Sequence, residues 1–228
     1  MVGISDERLV MSDSPLRVKV CGLLRVEDAV LAVELGASAV GFIFWPRSPR
    51  FIDPATARTI ASALPPAVAR IGVFVDQAAE FVKQVAETVP LDVVQLHGNE
   101  SVADYAQVGV PLIKAIAVSV PFDGSVMDAV PENVTVLLDA HDPERRGGTG
   151  RTIDWSVAAA MAARRPTILS GGLNPLNVSE AVGRVRPYMV DVSSGVESAP
   201  GVKDPTKLRA FFRALAPDGQ LPGDPGID

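Results

Sequence analysis

The chain has 228 residues, of which 47% are hydrophobic and 5% aromatic, and it carries a net charge of -6 at pH 7. This composition predicts one globular domain with a large core rather than a disordered chain. The negative charge argues against nucleic acid and anionic membrane surfaces as partners, and no apolar run approaches the roughly 18 residues of a membrane helix. An anionic small molecule would therefore have to be bound by local features of the chain.

The two ends of the chain are expected to lie outside the folded domain. Residues 1–16 place acidic residues before their only basic residue and lack a long apolar segment, unlike a secretory signal peptide. We therefore predict a partly disordered N-terminal extension and a cytoplasmic protein. Residues 217–228 are rich in Pro, Gly and Asp, which predicts a flexible C-terminal tail and leaves residues 17–216 as the folded domain.

Eight short apolar runs recur along the folded domain. They cover residues 18–21, 39–44, 71–75, 93–96, 112–118, 134–138, 167–169 and 189–192. Segments with apolar residues at helical spacing lie between successive runs, and residues 26–35 and 81–89 are examples. Eight strand-then-helix units predict an α/β fold, a single closed (β/α)8 TIM barrel, because an open doubly wound sheet rarely needs eight units in so short a chain.

Three helices have predicted boundaries. Asp53 followed by Pro54 predicts a helix over residues 55–64, because an acidic cap before a proline in the first turn is typical of helix starts. Asn174 and Pro175 repeat this pattern. Residues 205–215 are expected to form the last helix.

Polar residues lie at the carboxyl ends of the predicted strands, which all open at one mouth of such a barrel. They are Cys21, the loop at residues 45–51, Asp76, Gln95, His97, Lys114, Asp139, Gly171, Gly172 and residues 191–195. Cys21 is the only cysteine of the chain, so it is either a buried filler or a residue that does chemistry by itself. Its place at the end of the first strand favours chemistry.

The loops after the seventh and eighth strands predict a phosphate site. Their glycines let the backbone approach an anion, and their hydroxyls add donors. The predicted phosphate-binding residues are Gly171, Gly172, Ser193, Ser194 and Gly195. No comparable glycine pair follows the third or fourth strand, so we expect a ligand with one phosphate.

A further glycine cluster covers residues 145–150, after the sixth strand. It lacks the Lys-Ser/Thr ending of a nucleotide-binding loop and does not directly open a helix. We expect a mobile lid that closes over the substrate.

Several segments together resemble the phosphoribosylanthranilate isomerases, the barrel enzymes of tryptophan biosynthesis. The segments are residues 19–22, 41–50, 94–98, 137–139, 147–150, 170–175 and 191–197. They occur in the family's order, and the resemblance extends over about residues 17–215. It implies an Amadori rearrangement of N-(5-phosphoribosyl)anthranilate, a phosphosugar, with neither a cofactor nor a metal.

The resemblance also implies the roles of two residues. Asp139 matches the general acid of the family and Cys21 matches the general base. A cationic neighbour such as Lys19 or Arg50 would favour the thiolate if its side chain points inward. From the residues alone, Cys21 could also be an apolar filler and Asp139 a helix or loop cap.

Other pocket residues follow from the same resemblance. Arg50 matches the arginine that binds the anthranilate carboxylate, whereas the residues alone do not choose between Arg50 and Arg47. Gln95 and His97 are expected to line the aromatic pocket, and His97 is a second candidate for proton transfer or a structural histidine. Asp191 is a further pocket candidate.

Two other functions are compatible with a barrel of this kind. A histidine-pathway or dual-substrate aminoimidazole ribonucleotide isomerase would act on a substrate with two phosphates and use a carboxylate in place of Cys21. A non-catalytic phosphosugar-binding barrel would have lost its chemistry. The family usually has Ile-Thr after the first-strand Cys-Gly, where this chain has Leu23 and Leu24. A monomer is favoured over a homodimer.

Overall fold

The computed structural model describes residues 16–118, 122–140, 153–217 and 219–221. The predicted lid at residues 145–150, nearly all of the predicted N-terminal extension and most of the predicted C-terminal tail lie outside the described residues.

Eight parallel strands form a closed barrel in chain order, which confirms the predicted fold class. They are β1 (Arg17–Cys21), β2 (Ala39–Ile43), β3 (Ala69–Phe74), β4 (Val93–Leu96), β5 (Leu112–Val118), β6 (Thr135–Ala140), β7 (Thr167–Leu169) and β8 (Met189–Val192). β8 closes the barrel by pairing in parallel with β1, where Lys19 is in register with Asp191. The predicted bounds of β4, β5, β7 and β8 agree with the structure, whereas β6 is longer and contains Asp139.

Seven α-helices occur in the described residues. They are α1 (Val26–Glu34), α2 (Pro54–Ser62), α3 (Ala79–Thr88), α4 (Ser125–Asp128), α5 (Trp155–Ala162), α6 (Val178–Val185) and α7 (Pro205–Leu215). The expectation of a helix after every strand is wrong in the fourth unit, where β4 and β5 are joined by the 3-10 turn Val102–Tyr105. In the fifth unit α4 is only one turn long. None of the described helices combines the length and the hydropathy that a membrane span requires.

Two predicted helix starts have different outcomes. Asp53 caps α2 as expected, because its carboxylate accepts hydrogen bonds from the amides of Ala55 and Thr56 at 3.0 Å each. The predicted start at Asn174 and Pro175 is wrong, since α6 begins at Val178. The amide of Asn174 instead donates to the side chain of Asn177, which closes a turn before the helix.

Alternation along the strands decides which side chains face the barrel interior. In β6, Val136 and Leu138 pack outward against the helices, whereas Leu137 belongs to the interior cluster. Asp139, two residues beyond Leu137, therefore faces inward at the carboxyl end. The same alternation places Lys19, Cys21, Gln95 and Asp191 on the inside. Apolar residues fill the remaining interior: Ala39, Ile71, Ile113, Ala115, Leu137, Ile168 and Met189.

A two-stranded antiparallel hairpin follows β8 and was not predicted. It consists of β9 (Glu197–Ala199) and β10 (Val202–Lys203). Gly201, with φ +79°, makes its turn, and Leu24 packs where a side chain at that position would lie. The residue that replaces the family threonine therefore makes an apolar contact with the hairpin.

Candidate active site

A cavity of about 870 Å³ opens at the carboxyl ends of the barrel strands. Seven of the predicted site residues line it: Cys21, Arg50, Gln95, His97, Asp139, Asp191 and Ser193. The structure thus brings together the proposed acid, base and carboxylate-binding residue. The described residues contain no cluster of His, Cys, Asp and Glu that could hold a metal ion.

Cys21 is 5% exposed and lies against the backbone of β2. A side chain on Gly41, its register partner in β2, would lie 2.6 Å from Sγ, so glycine makes room for the thiol. Burial raises the pKa of the thiol and Asp191 adds to the effect, while Lys19 and Lys203 oppose it without cancelling it. The resting side chain is therefore a thiol with two cations beside it.

Lys19 connects several groups in the barrel interior. Its ammonium is fully buried and donates to Gln95 Oε1 at 2.9 Å and to Asp191 Oδ2 at 3.1 Å. Burial by itself lowers the pKa of Lys19, but Asp191 and Cys21 outweigh this effect and raise it. The side chain of Lys19 thus points inward, which is the condition for it to act on Cys21, and its ammonium stays charged.

Lys203 of the hairpin contacts the backbone of Cys21. Its buried ammonium donates to the carbonyl oxygen of Cys21 at 2.6 Å, to that of Ser193 at 3.2 Å and to Glu197 Oε1 at 2.8 Å. Lys203 therefore joins the ends of β1 and β8 to the hairpin. Burial is the largest influence on its ammonium and lowers its pKa, although Glu197 opposes the change.

Arg50, in the loop after β2, is buried and bonded to Glu197. Its Nε donates to Glu197 Oε1 at 2.8 Å and its Nη2 to Oε2 at 2.6 Å. Nη1 makes no hydrogen bond to a described residue. Gly22 has φ +72°, and a side chain there would lie 2.6 Å from Arg50 Cδ, so the glycine allows the arginine to cross β1. Arg47 is exposed at the rim of the cavity.

Asp139 makes a hydrogen bond at each of its two carboxylate oxygens. The amide of Ala140 donates to Oδ1 at 2.9 Å, and His97 Nε2 lies 3.1 Å from Oδ2. His97 Nδ1 in turn lies 2.8 Å from Gln95 Nε2. Gln95 and His97 both line the cavity, and both belong to a hydrogen-bonded chain that ends at the proposed acid.

Asp191 has one engaged and one open carboxylate oxygen. Oδ2 accepts from Lys19, whereas Oδ1 is buried and has no hydrogen-bond partner among the described residues. A buried carboxylate oxygen without a donor is costly. Because Asp191 lines the cavity, a hydroxyl group of a bound ligand could satisfy this oxygen.

The predicted phosphate loops lie beside the cavity, and Ser193 alone of their five predicted residues lines it. The amides of Gly171, Gly172, Ser194 and Gly195 donate to no residue that the structure describes. The hydroxyl of Ser193 is already engaged, because it donates to the carbonyl oxygen of Cys21 at 3.1 Å. A side chain on Gly171 would lie 2.7 Å from the amide nitrogen of Ala140, and one on Gly195 would overlap the carbonyl oxygen of Leu173.

The loops after β3 and β4 are arranged differently. The carboxylate of Glu100 is buried and accepts hydrogen bonds from the amides of Asp76 at 2.7 Å and Gly98 at 2.8 Å. Lys114 Nζ completes this set at 2.8 Å from Glu100 Oε2. This end of the barrel carries its own anion.

Sequence reasoning missed the roles of Glu197, Lys203 and Glu100. Glu197 closed the last motif of the resemblance but received no role, and Lys203 stands in an ordinary polar segment before α7. The importance of Glu197 and Lys203 follows from contacts with residues more than 140 positions earlier, which no local pattern reports. Glu100 has its role through the amides of Asp76 and Gly98 and through Lys114, which the fold brings around its carboxylate.

Comparison with known proteins gives a consistent result. The family model for N-(5'-phosphoribosyl)anthranilate isomerase matches residues 18–214. An enzyme of that name from Geotalea uraniireducens is 48% identical over 199 residues, which cover 86% of this chain and 97% of the relative.

Solved structures agree with the sequence relatives. The phosphoribosyl anthranilate isomerase of Thermus thermophilus superposes with a TM-score of 0.80 at 43% identity, covering 88% of this chain and 98% of that one. A structure of such an isomerase in complex with reduced 1-(o-carboxyphenylamino)-1-deoxyribulose 5-phosphate has a TM-score of 0.77 at 41% identity, with the same coverage.

Proposed function

The chain belongs to the N-(5'-phosphoribosyl)anthranilate isomerase family, and from this premise we propose which of its residues carry out the reaction. The protein isomerises N-(5'-phosphoribosyl)anthranilate to 1-(2-carboxyphenylamino)-1-deoxy-D-ribulose 5-phosphate in tryptophan biosynthesis. The histidine-pathway isomerase and the non-catalytic barrel are not favoured, since the family match extends over nearly the whole barrel.

Asp139 is the proposed acid. Its proton goes to the furanose ring oxygen, the bond between that oxygen and C1′ breaks, and the nitrogen lone pair forms a protonated Schiff base with C1′. The two hydrogen bonds that Asp139 accepts, from Ala140 and from the His97 side, stabilise the carboxylate that this step leaves.

Cys21 is the proposed base. Its thiolate takes the proton from C2′, the C–H electron pair forms the C1′–C2′ double bond, and the C=N pair returns to nitrogen. The resulting enolamine tautomerises to the ketone. Lys19 and Lys203 are the charges that favour the thiolate against the cost of burial.

Arg50 is the proposed partner of the anthranilate carboxylate. Its guanidinium, Glu197 and Lys203 form one buried group in which two cations face one anion. The group therefore keeps one positive charge, and Nη1 of Arg50 is the donor that the described residues leave open. A ligand carboxylate satisfies both the charge and the donor.

The substrate phosphate is assigned to the loops after β7 and β8. The amides of Gly171, Gly172, Ser194 and Gly195 are open donors, and backbone amides of glycine-containing loops are common phosphate ligands. The hydroxyl of Ser193 is assigned instead to holding the end of β1, since it is bonded to the carbonyl of Cys21. The relative bound to a reduced deoxyribulose phosphate supports a phosphosugar ligand.

One observation carries these assignments. Cys21 and Asp139, 5% and 6% exposed, reach the same cavity from β1 and β6, with Arg50 on its wall. An acid, a base and a carboxylate receptor are thus available to one bound molecule.

The assignment is tested by following anthranilate fluorescence as the purified protein consumes freshly made substrate. We expect Cys21→Ser and Asp139→Asn each to lower kcat by at least about 100-fold, with KM changed by less than about threefold. Asp104→Asn, an exposed carboxylate, is the matched control and should retain full activity. Full activity of both site variants would contradict the assigned roles, and an inactive wild type would contradict the function.

Cytoplasmic location and a monomeric state remain predictions. The relevant measurements are the fraction of the protein released on gentle lysis and its mass by sedimentation equilibrium. Association with membranes would contradict the first prediction, and twice the chain mass the second.

A further inference from the structure

A chain of three hydrogen bonds links Lys19 in β1 to Asp139 in β6. Lys19 Nζ lies 2.9 Å from Gln95 Oε1, Gln95 Nε2 lies 2.8 Å from His97 Nδ1, and His97 Nε2 lies 3.1 Å from Asp139 Oδ2. Asp191 holds the other side of the ammonium at 3.1 Å. The chain therefore begins at a fixed charge and ends at the proposed acid.

The direction of each bond follows from what each group can donate. An ammonium only donates, so the Gln95 atom that faces Lys19 must be the carbonyl oxygen. The amide NH₂ of Gln95 then faces His97 and can only donate to it. Nδ1 of His97 must therefore be an acceptor without a proton, and the ring proton lies on Nε2, directed at Asp139.

The same requirement that each donor face an acceptor excludes the reverse orientation of the Gln95 amide. It would direct the amide NH₂ at the buried ammonium and leave that nitrogen without an acceptor, while Lys19 would lose one of its two hydrogen bonds. Unsatisfied polar groups of this kind are costly when buried, and Gln95 is 1% exposed.

We propose that Lys19 and Gln95 hold His97 in its neutral Nε2–H tautomer, which makes His97 a positioning residue that donates a hydrogen bond to the acid Asp139. The inference rests on the proposed role of Asp139 and adds residues that control it. With the amide of Ala140 on Oδ1 and His97 on Oδ2, the carboxyl group is fixed at both oxygens.

The tautomer matters because the acid must hold a proton before each turnover. An imidazolium at position 97 would form an ion pair with Asp139 and favour the ionised carboxylate, which has no proton to give. A neutral donor stabilises the carboxylate less in the resting enzyme, yet it is in place when the proton leaves. A second ring proton, on Nδ1, would face the NH₂ group of Gln95 at 2.8 Å and leave both donors without an acceptor.

The first test is the tautomer itself, read from the ¹⁵N shifts of the imidazole in labelled protein at neutral pH. The signals of His97 are those lost in His97→Gln. We expect Nε2 protonated and Nδ1 unprotonated in the wild type. Gln95→Glu replaces the donor with an acceptor and should move the proton to Nδ1, whereas Gln107→Glu, which adds the same charge at an exposed position, should not. A protonated Nδ1 in the wild type would overturn the inference.

The second test separates positioning from mere folding. His97→Leu should lower kcat by about 10- to 100-fold, the effect of one hydrogen bond to a charged group, with KM within about twofold. His97→Gln keeps an N–H donor at similar reach and should lose less, about threefold. Equal losses in the two variants, or unchanged kcat in His97→Leu, would contradict the role. The tautomer measurement needs no turnover, so its outcome stays informative if Asp139 proves not to be the acid.

Discussion

Two pairs of loops at the same mouth of the barrel differ in how their backbone amides are used. One pair follows β7 and β8, and the other follows β3 and β4. In the first pair, four backbone amides donate to nothing within the described residues. In the second pair, the amides of Asp76 and Gly98 donate to the carboxylate of Glu100. Because the carboxylate of Glu100 already accepts from these two amides and from Lys114, these donors are not available to a second anion. The contrast supports a ligand with one phosphate, bound at the β7 and β8 end.

The largest effect on this contrast is expected when the carboxylate of Glu100 is removed. Glu100→Ala leaves two amides unpaired and Lys114 without its carboxylate, and we expect the free energy of unfolding to fall by about 3 to 5 kcal/mol. Inorganic phosphate should restore part of this loss by occupying the emptied site. Chemical denaturation with and without phosphate measures both effects.

A surface pair serves as the control for Glu100. Glu87→Ala removes a carboxylate from an exposed pair with Lys83 and should change the free energy by less than about 0.5 kcal/mol. If Glu100→Ala behaves like Glu87→Ala, the carboxylate is not the anion that fills this end.

A single added methyl group is expected to disrupt the proposed phosphate-binding loop after β8. In Gly195→Ala the new side chain would overlap the carbonyl oxygen of Leu173, so the loop after β8 must move and its amides lose their direction. We expect kcat/KM to fall by about 10- to 100-fold, mainly through KM, since each charge-assisted hydrogen bond contributes that much. Gly183→Ala, a glycine of α6 with nothing nearby, is the matched control. An unchanged KM in Gly195→Ala would place the phosphate elsewhere.

The pH dependence of kcat separates proton transfer by Cys21 from binding of the phosphate. Because burial raises the pKa of Cys21, the thiolate is a minor form at neutral pH, and kcat should rise with pH toward that pKa. Lys19 lowers this pKa, so its removal in Lys19→Met should shift the rise to higher pH and reduce kcat at pH 7 by about tenfold.

The pH profile of kcat measures this shift, with the exposed Lys83→Met as control. Gly195→Ala, which changes phosphate binding, should keep the wild-type profile. A profile that does not move in Lys19→Met would show that this charge does not act on the base.

The smallest effect is expected at Leu24. Leu24→Thr restores the residue usual in the family but removes an apolar contact with Gly201 of the hairpin. We expect a loss of about 1 kcal/mol in the free energy of unfolding and kcat within about threefold of the wild type. Leu176→Thr, at a side chain that is 97% exposed, is the control. A loss of activity above tenfold would mean that the hairpin transmits changes to Cys21.

The barrel and the mouth could be predicted because strand periodicity is local. Runs of apolar residues located eight strands, and the end of the sixth run placed Asp139 at the mouth. The inward direction of its side chain follows from the structure, in which β6 extends to Ala140. The prediction of a helix between β4 and β5 was wrong because the same spacing of apolar residues also suits a 3-10 turn, which is what the structure has there. The hairpin of β9 and β10 was missed because two- and three-residue strands have no periodicity to read.

The sequence by itself determined the eightfold α/β repeat, the place of Cys21, Asp139 and Arg50 near one mouth, and the likeness to a family. Only the tertiary structure decided the partners of these residues: Glu197 beside Arg50, Lys203 beneath Cys21, and a chain from Lys19 to His97 behind Asp139. The physical reason is the separation along the chain between the residues that interact. A strand and its direction are set by neighbouring residues, whereas polar contacts between residues more than 140 positions apart form only when the closed barrel brings those residues together.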